Sequence, residues 1–471
     1  MRAEETIDLR TLAARGPIHF VGIAGAGMSA LAEALISQGA TVTGCDLHPG
    51  ELAARFRARG VEIMHGQDAS HVDASTGAVI TTAAVPPDHP ELVAARAAGV
   101  PVLKRAQALG ALVNRGTVIG IAGTHGKTTT TAMTTAILAE AGLEPTGFVG
   151  GRVPGWNSGL RLGGDQLFVV EADEYDRSFL ALRPTVAVVT TMEADHLDIY
   201  GSFEGVQEAF RHFLQLVPSD GLIVLCNDDR GARELMDHDA TNPDVVTYGI
   251  DPGTEFRAVK VEVRGRGSRF IVHDHGEELG EIVLGVAGYH NVRNALAAML
   301  SAMHVGASFE AARRALFGFH GVERRFQELG RARGITVIDD YAHHPTEIRA
   351  TMAAARAAYA GARIVAVFQP HLYSRTRDFA GEFGAELAKA DVVWVTDVYA
   401  ARETPIEGVS GELVAHAAQK RSRAKVHYEP NVAALPERLA AELRSGDVCV
   451  LMGAGDIDRA ARTLLQTLRS R

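Results

Sequence analysis

The chain has 471 residues, 46% hydrophobic and 22% charged with 49 glycines, a composition that excludes a disordered, fibrous or collagen-like protein and suggests about three domains. With 47 basic and 57 acidic residues the net charge is −10, a field that does not favour a nonspecific grip on nucleic acid. The three cysteines, Cys45, Cys226 and Cys449, are scattered and form no CxxC, which argues against a disulfide framework and a cysteine zinc site and for a reducing compartment.

The chain opens Met1-Arg2-Ala3-Glu4-Glu5 without an apolar stretch behind it, and nowhere do the roughly 18 consecutive apolar residues of a membrane span occur. A cytoplasmic location with no membrane or nucleic-acid partner is expected; monomer and homodimer stay open. Short β-branched runs alternate with Ala-rich stretches of helical period, the pattern of an α/β fold with mostly parallel sheets and crossover helices. One series of runs falls at residues 18–23, 41–46 and 78–82, a second at 117–122, 168–172, 186–190 and 222–226, and a third at 335–340, 364–368, 392–396 and 448–452. Breaks between the series place domain boundaries near 112 and 322. The expected domains are therefore Rossmann-like (1–112), P-loop-type with a mostly parallel sheet (113–322) and again Rossmann-like (323–471). Between 247 and 288 short alternating runs at 256–263, 268–272 and 281–284, separated by glycine turns, read as an antiparallel insertion in the middle domain.

After the first run comes Gly25-Ala26-Gly27-Met28-Ser29-Ala30, a GxGxxA loop whose glycines let backbone approach a pyrophosphate and whose following helix offers free N–H groups. Asp46, at the end of the second run, is placed to meet a ribose hydroxyl. The motif alone is weak: a ligand-free turn and a bound NAD both remain open.

The run 117–122 leads into Gly123-Thr124-His125-Gly126-Lys127-Thr128-Thr129. A strict Walker A spacing would need glycine where Ile121 stands, but the chemistry survives. The loop's N–H groups can wrap phosphate oxygens, Lys127 supplies a charge to the β and γ phosphates, and the Thr128 hydroxyl can ligate Mg²⁺. The chain has only six lysines, so one placed directly after a strand and a glycine turn points to phosphate binding. The next two runs end in Glu171-Ala172-Asp173-Glu174 and in Glu193-Ala194-Asp195-His196, at strand ends where open α/β sheets bind ligands. Glu171 and His196 are read as helping to hold two Mg²⁺ ions around the γ phosphate.

In the third segment Asp339 and Asp340 close a strand and Tyr341-Ala342-His343-His344-Pro345 follows; Gln369-Pro370-His371 and Arg375 follow the next. Adjacent side chains diverge, so one histidine is expected at the site and the other to be structural, with His343 favoured for the site. Guanidinium forks such as Arg375 suit carboxylate and phosphate recognition; Arg377 reads as a surface charge. Asn291 and Asn294 open an Ala-rich helix and are equally compatible with an N-cap and a first-turn amide. Gly453-Ala454-Gly455-Asp456 reads as a helix-start anion nest without a nameable ligand.

The loop Gly123 to Thr129, Glu171, Asp195-His196, the segment from Gly288 to Ala295 and Arg324-Arg325-Phe326 resemble the motifs of the Mur ligases, ATP-dependent amide-forming enzymes of peptidoglycan synthesis, in matching order over the whole chain. Three segments resemble the alanine-adding branch: the N-terminal loop, the stretch from Asp339 to Glu347 and that from Gln369 to Arg377. The resemblance implies that Gly123, Thr124, His125, Gly126, Lys127, Thr128 and Thr129 bind ATP phosphates and that Thr128, Glu171 and His196 serve Mg²⁺. It implies that His290, Asn291 and Asn294 face adenine, with Arg325 on phosphate and Asp340 on the ribose. It places His343, His371 and Arg375 at the reacting carboxylate and the incoming amino acid, with Tyr341 nearby and Glu174 also on the substrate side. UDP-N-acetylmuramate would lie in the first domain against Gly25, Ala26, Gly27, Met28, Ser29, Asp46, Thr81 and Thr82, and L-alanine would be the second substrate. Lys127, His196, His343, His371 and Arg375 would be catalytic. Leu372 departs from the basic residue of some relatives, and Thr81-Thr82 from the more usual serine pair. The carbamylated lysine of sister ligases has no counterpart, since no lysine occurs from Thr128 to Val259. A ligase adding a ready-made tripeptide to the same sugar nucleotide is the alternative within the family; a Rossmann dehydrogenase leaves Lys127 and Glu171 unexplained.

Overall fold

The computed structural model describes residues 8–47, 50–82, 84–156, 158–236, 243–401, 403–421 and 424–471; Met1 to Glu5 lie outside them. The chain forms two compact units. The first runs to Arg257 and adds His273–Glu277 and Asn294–Ala315; the second holds Ala258–Val272, Glu278–Arg293 and Leu316–Arg471.

The first unit contains two parallel sheets. One is built from β1 (Ile18–Val21), β2 (Val42–Asp46), β3 (Glu62–His65), β4 (Ala78–Thr81) and β5 (Val102–Lys104), in the order β3-β2-β1-β4-β5. The other uses β6 (Thr117–Ala122), β7 (Thr146–Phe148), β8 (Leu160–Arg161), β9 (Leu167–Glu171), β10 (Val186–Val189), β11 (Leu222–Cys226) and β12 (Asp244–Gly249), in the order β12-β11-β10-β6-β9-β7-β8 with only the β7–β8 pair antiparallel. β6, which carries the phosphate loop, thus lies between β10 and β9, whose ends deliver the acidic segments. The insertion forms β13 (Phe256–Arg264), β14 (Gly267–Asp274) and β15 (Glu277–Leu284), with longer strands than the sequence pattern suggested.

The sheet of the second unit has β16 (Gln327–Ala332), β17 (Ile335–Asp340), β18 (Ile364–Phe368), β19 (Val392–Val395), β20 (Lys425–Tyr428) and β21 (Val448–Met452), in the order β16-β17-β21-β18-β19-β20, with β16 the antiparallel edge. Ile364, Ala366 and Phe368 face one apolar cluster and Val365 and Val367 the other. Burial on both faces explains why such strands read as unbroken apolar runs. The runs at 117–122, 222–226, 335–340, 364–368 and 448–452 coincide with strands. β3, β5, β7, β8, β12, β16 and β20 carried no such signal: they are short, lie at or near sheet edges, or keep one face partly open, so their pattern is mixed.

The helix Lys127–Glu140 is threonine-rich, which weakens helical propensity. The buried hydroxyls of Thr131, Thr134 and Thr135 turn back onto the preceding turn, Thr131 to Lys127 O at 2.8 Å, Thr134 to Thr130 O at 2.8 Å and Thr135 to Thr131 O at 2.7 Å, and so stay satisfied inside the core. Among the described residues no helix is long and apolar enough to cross a membrane.

Candidate active site

The phosphate loop departs from β6 at Gly123 and enters the helix at Lys127. Gly123 has φ 131° and Gly126 φ 87°, a region that side chains disfavour. A Cβ at Gly123 would lie 2.1 Å from Thr190 Oγ1, and one at Gly126 2.7 Å from Asn294 Oδ1. The loop is fastened to the segment after β10: Thr124 N–H donates to Thr191 O at 2.9 Å, His125 N–H to Thr191 Oγ1 at 2.9 Å, and Glu193 N–H to Thr124 Oγ1 at 2.9 Å. The first turn of the helix therefore presents its N–H groups from a fixed loop.

Lys127 Nζ donates to the Gly123 carbonyl, to Thr124 O at 3.3 Å and to Glu174 Oε1 at 2.9 Å. Burial by itself would pull this ammonium's pKa down, but the carboxylates of Glu174, Asp173 and Glu171 more than offset it and hold the pKa above its ordinary value, so the charge persists at neutral pH. Glu171 spans two partners, accepting from Thr128 Oγ1 at 2.9 Å and from the Gly150 N–H. His196 adopts φ 53°, uncommon for a non-glycine residue. Its Nε2 lies 4.0 Å from Glu174 Oε1, and its ring meets Tyr175 edge-on at 5.2 Å. Hydroxyl and carboxylate oxygens at Thr128 and Glu171 are the hard donors that Mg²⁺ takes, so the chemistry of this set fits that ion.

A cleft of about 300 Å³ in the same unit is lined by Gly25, Ala26, Gly27, Met28 and Thr82 on one side and by Gly150, Glu171 and Asp173 on the other. The first glycine loop and the acidic end of β9 therefore share one space. Asp46 does not stand free beside it: Oδ2 accepts the Ala24 N–H at 3.0 Å and pins the loop. Ser29 is buried, its hydroxyl donating to Ala26 O at 3.0 Å. Thr81 and Thr82 line an adjoining cleft of about 590 Å³; their neighbour Ala83 is outside the described residues. Arg105 also lines the first cleft, and its Nη1 would stand 3.2 Å from a Cβ at Gly27.

In the second unit the ends of β17, β18 and β21 gather a separate cluster. Arg324 and Arg325 lie over the Tyr341 ring at 4.9 and 5.1 Å, within cation–π range. His343 stands 5.4 Å from Tyr341 and 5.8 Å from His371, which stacks on Tyr399 at 5.9 Å. His343 Nδ1 contacts Tyr341 O at 2.9 Å. A carbonyl only accepts, so Nδ1 carries the hydrogen and Nε2 is the acceptor in the neutral ring. His344 is buried against Phe379 at 5.1 Å and caps the helix Pro345–Ala358; the two neighbours diverge as the sequence suggested. Arg375 is buried near the start of the helix Tyr373–Leu387, behind Leu372 with φ 68°. Arg377 pairs with its neighbour Asp378 at 2.7 Å on the surface.

Asp340 is engaged within the chain, accepting from Phe326 N–H and Ala342 N–H, each at 2.8 Å, and from the Thr351 hydroxyl at 3.2 Å. Burial raises its pKa to about 6 against the pull of Arg325. Asp339, wholly buried, is raised to about 7 by burial, opposed by Arg324. His290 is pushed down to about 4 by burial and by Arg293 and Arg325. Its helix starts at Tyr289, so Asn291 is no N-cap; its amide turns back to Ala287 O at 2.8 Å. The Gly453–Gly455 turn is not an open anion nest either. Its carbonyls accept from Arg324 Nη2 at 2.7 and 3.2 Å, and the Ile457 N–H is taken by Gln369 Oε1 at 3.2 Å.

Three family models cover the chain in order: "Mur ligase family, catalytic domain" over residues 17–117, "Mur ligase middle domain" over 121–302 and "Mur ligase, glutamate ligase domain" over 324–455. The UDP-N-acetylmuramate--L-alanine ligase of Salinibacter ruber is 44% identical over 466 residues, 98% of each chain. The chain belongs to the Mur ligase family. Another enzyme of the same name, from Renibacterium salmoninarum, is 44% identical over 96% of each chain. Among solved structures, UDP-N-acetylmuramate-alanine ligase MurC from Thermotoga maritima superposes with a TM-score of 0.80 at 30% identity, covering 96% of this chain and 99% of that one. A murein peptide ligase from Psychrobacter arcticus gives 0.69 at 26% identity, covering 97% of this chain and 99% of that one.

As a Mur ligase the protein is ATP-dependent. The structure brings the loop Gly123 to Thr129 together with Glu171 and Glu174, as the sequence suggested; the sequence did not single out Arg105, which lies beside Gly27, or Tyr399, which stacks on His371. Both lie far in sequence from the groups they approach, and nothing in their local pattern marks them.

Proposed function

We propose that this Mur ligase joins L-alanine to the lactyl carboxylate of UDP-N-acetylmuramate, with ATP going to ADP and phosphate through an acyl phosphate. The observation that carries this reading is the end-to-end likeness to ligases of that name, combined with a half-buried, charged Lys127 at the mouth of a glycine loop. In this reading residues 1–112 bind the UDP sugar, 113–322 bind ATP and 323–471 bind the amino acid and nucleotide. The glycine loop at Gly25 to Ser29, with Thr81, Thr82 and Arg105, receives the UDP moiety, and Asp46 acts by fixing that loop.

Gly123 to Thr129 cradle the ATP phosphates, and Lys127 neutralises charge on the transferring group as the substrate carboxylate attacks it. Thr128, Glu171 and His196 would hold Mg²⁺, which when bound supplies further charge neutralisation. Asn294, whose amide lies against Gly126, and His290, neutral at its depressed pKa, serve the adenine side with Asn291. Arg325 serves phosphate, and Asp340 shapes the ribose site through the backbone it holds. The alanine amine then attacks the acyl carbonyl and phosphate leaves. His343, through Nε2, takes the ammonium proton, with His371, Arg375, Tyr341 and Glu174 orienting the reactants. A cytoplasmic location fits substrates of this kind.

The test is phosphate release by the purified protein with ATP, Mg²⁺ and UDP-N-acetylmuramate. Release is expected with L-alanine and not with the murein tripeptide; the reverse preference would replace this reading with the tripeptide-adding one.

A further inference from the structure

The core of the first sheet contains a polar group that the proposed reaction does not use. His19 on β1, Cys45 on β2 and Glu91 in the helix Pro90–Ala97 are all buried, and one donor atom of each lies within 4.8 Å of the others. Glu91 is the hub. Its Oε2 accepts from Cys45 Sγ at 3.1 Å and stands 3.3 Å from His19 Nε2; its Oε1 lies 2.7 Å from His71 Nδ1. The surroundings are apolar: Val21, Val72, Val79 and Leu92 pack around Cys45. A carboxylate, a thiol and two imidazoles placed in such a core are costly unless they satisfy one another or a cation.

We propose that His19, Cys45 and Glu91 form a binding site for a divalent transition metal, zinc by preference, with His71 setting the carboxylate from its second oxygen. One imidazole nitrogen, one sulfur and one carboxylate oxygen make the mixed donor set that zinc accepts and magnesium does not. Tetrahedral bonds of ordinary zinc length put neighbouring donors roughly 3.4–3.6 Å apart, so the separations at Glu91 need only a few tenths of an ångström of adjustment. The Thr43 hydroxyl lies 2.9 Å from His19 Nδ1 and can accept its hydrogen, leaving Nε2 as the ligand atom, the outer-shell arrangement that orients metal-bound histidines.

His71 has a side chain 13% exposed while His19 and Glu91 show none, so entry and a fourth ligand, water or His71 itself, would come from that side. Without metal, burial and Glu91 raise the Cys45 thiol to about 12; binding would release that proton. Cysteine spacing argued against a cysteine zinc site, but this set draws its donors from three separate elements. Its structural consequence is a cross-link between β1, β2 and the helix whose Leu92 lines the cleft of about 590 Å³.

The experiment strips the full-length protein with chelator and reloads it with Co²⁺ without nucleotide or Mg²⁺. The expected result is a near-ultraviolet thiolate-to-cobalt band and tetrahedral visible bands, bleached by Zn²⁺, retained in Glu171→Gln and abolished in Cys45→Ser. No thiolate band in the wild type, or one that survives Cys45→Ser, overturns the proposal. Should Cys45→Ser fail to fold, zinc X-ray absorption on the reloaded wild type decides: one sulfur near 2.3 Å is expected, and a shell of only nitrogen and oxygen sinks it.

Discussion

The phosphate loop of the first unit and the histidine–arginine cluster of the second achieve placement by different means. The loop offers mainly backbone N–H groups, held by two left-handed glycines and by hydrogen bonds to Thr191, with Lys127, Thr128, Glu171 and His196 adding side-chain chemistry. In the cluster nearly everything is side chain: Tyr341 lies under two guanidiniums, His343 is steered by a carbonyl, and His371 stacks on Tyr399. A backbone site tolerates side-chain change except at its glycines and its one cation. A side-chain site distributes its function, so single losses should be smaller and differently expressed.

Three measurements would break or sharpen this contrast. The largest effect is expected at Lys127. In Lys127→Ala combined with Glu174→Gln, which avoids leaving a buried carboxylate unpaired, kcat for phosphate release should fall roughly 10²–10³-fold or more with the fold retained by circular dichroism. His125→Ala, which keeps the loop backbone, should lose far less. Equal losses in the two would mean that the loop is not a backbone device.

His343→Ala comes next. Loss of a general base predicts a fall in kcat of about 10²-fold, with little change in KM for ATP and a shallower pH profile on the acidic side. A raised KM for the amino acid at unchanged kcat would make His343 a binding residue instead.

The smallest effect concerns stability. Asp339 is raised to about 7 from an ordinary 3.8, so between those values the folded state holds a proton that the unfolded state has lost. The associated stabilisation is complete below the ordinary carboxylate value and disappears as pH rises through about 7. Denaturant titrations should therefore show Asp339→Asn losing less stability than the wild type between pH 4 and 8. Parallel curves would assign the buried carboxylate to the charged form throughout, paired with Arg324.

The sequence by itself determined the α/β class, the strands buried on both faces, and the phosphate loop with its acidic neighbours. Apolar runs, glycines before a lysine and strand-end carboxylates are local consequences of local geometry. Edge strands such as β20 were not legible, because one-sided burial leaves a mixed pattern. Tertiary structure alone decided which of two adjacent groups serves the site. It turned His344 onto Phe379 and left His343 beside His371, engaged Asp46 and Asp340 on their own backbone, and brought Arg105 to Gly27. It also closed the Gly453–Gly455 turn onto Arg324 and gathered His19, Cys45 and His71 around the Glu91 carboxylate. Strand and helix periods fix the direction in which a side chain leaves the backbone; what it then meets depends on chain that is distant in sequence.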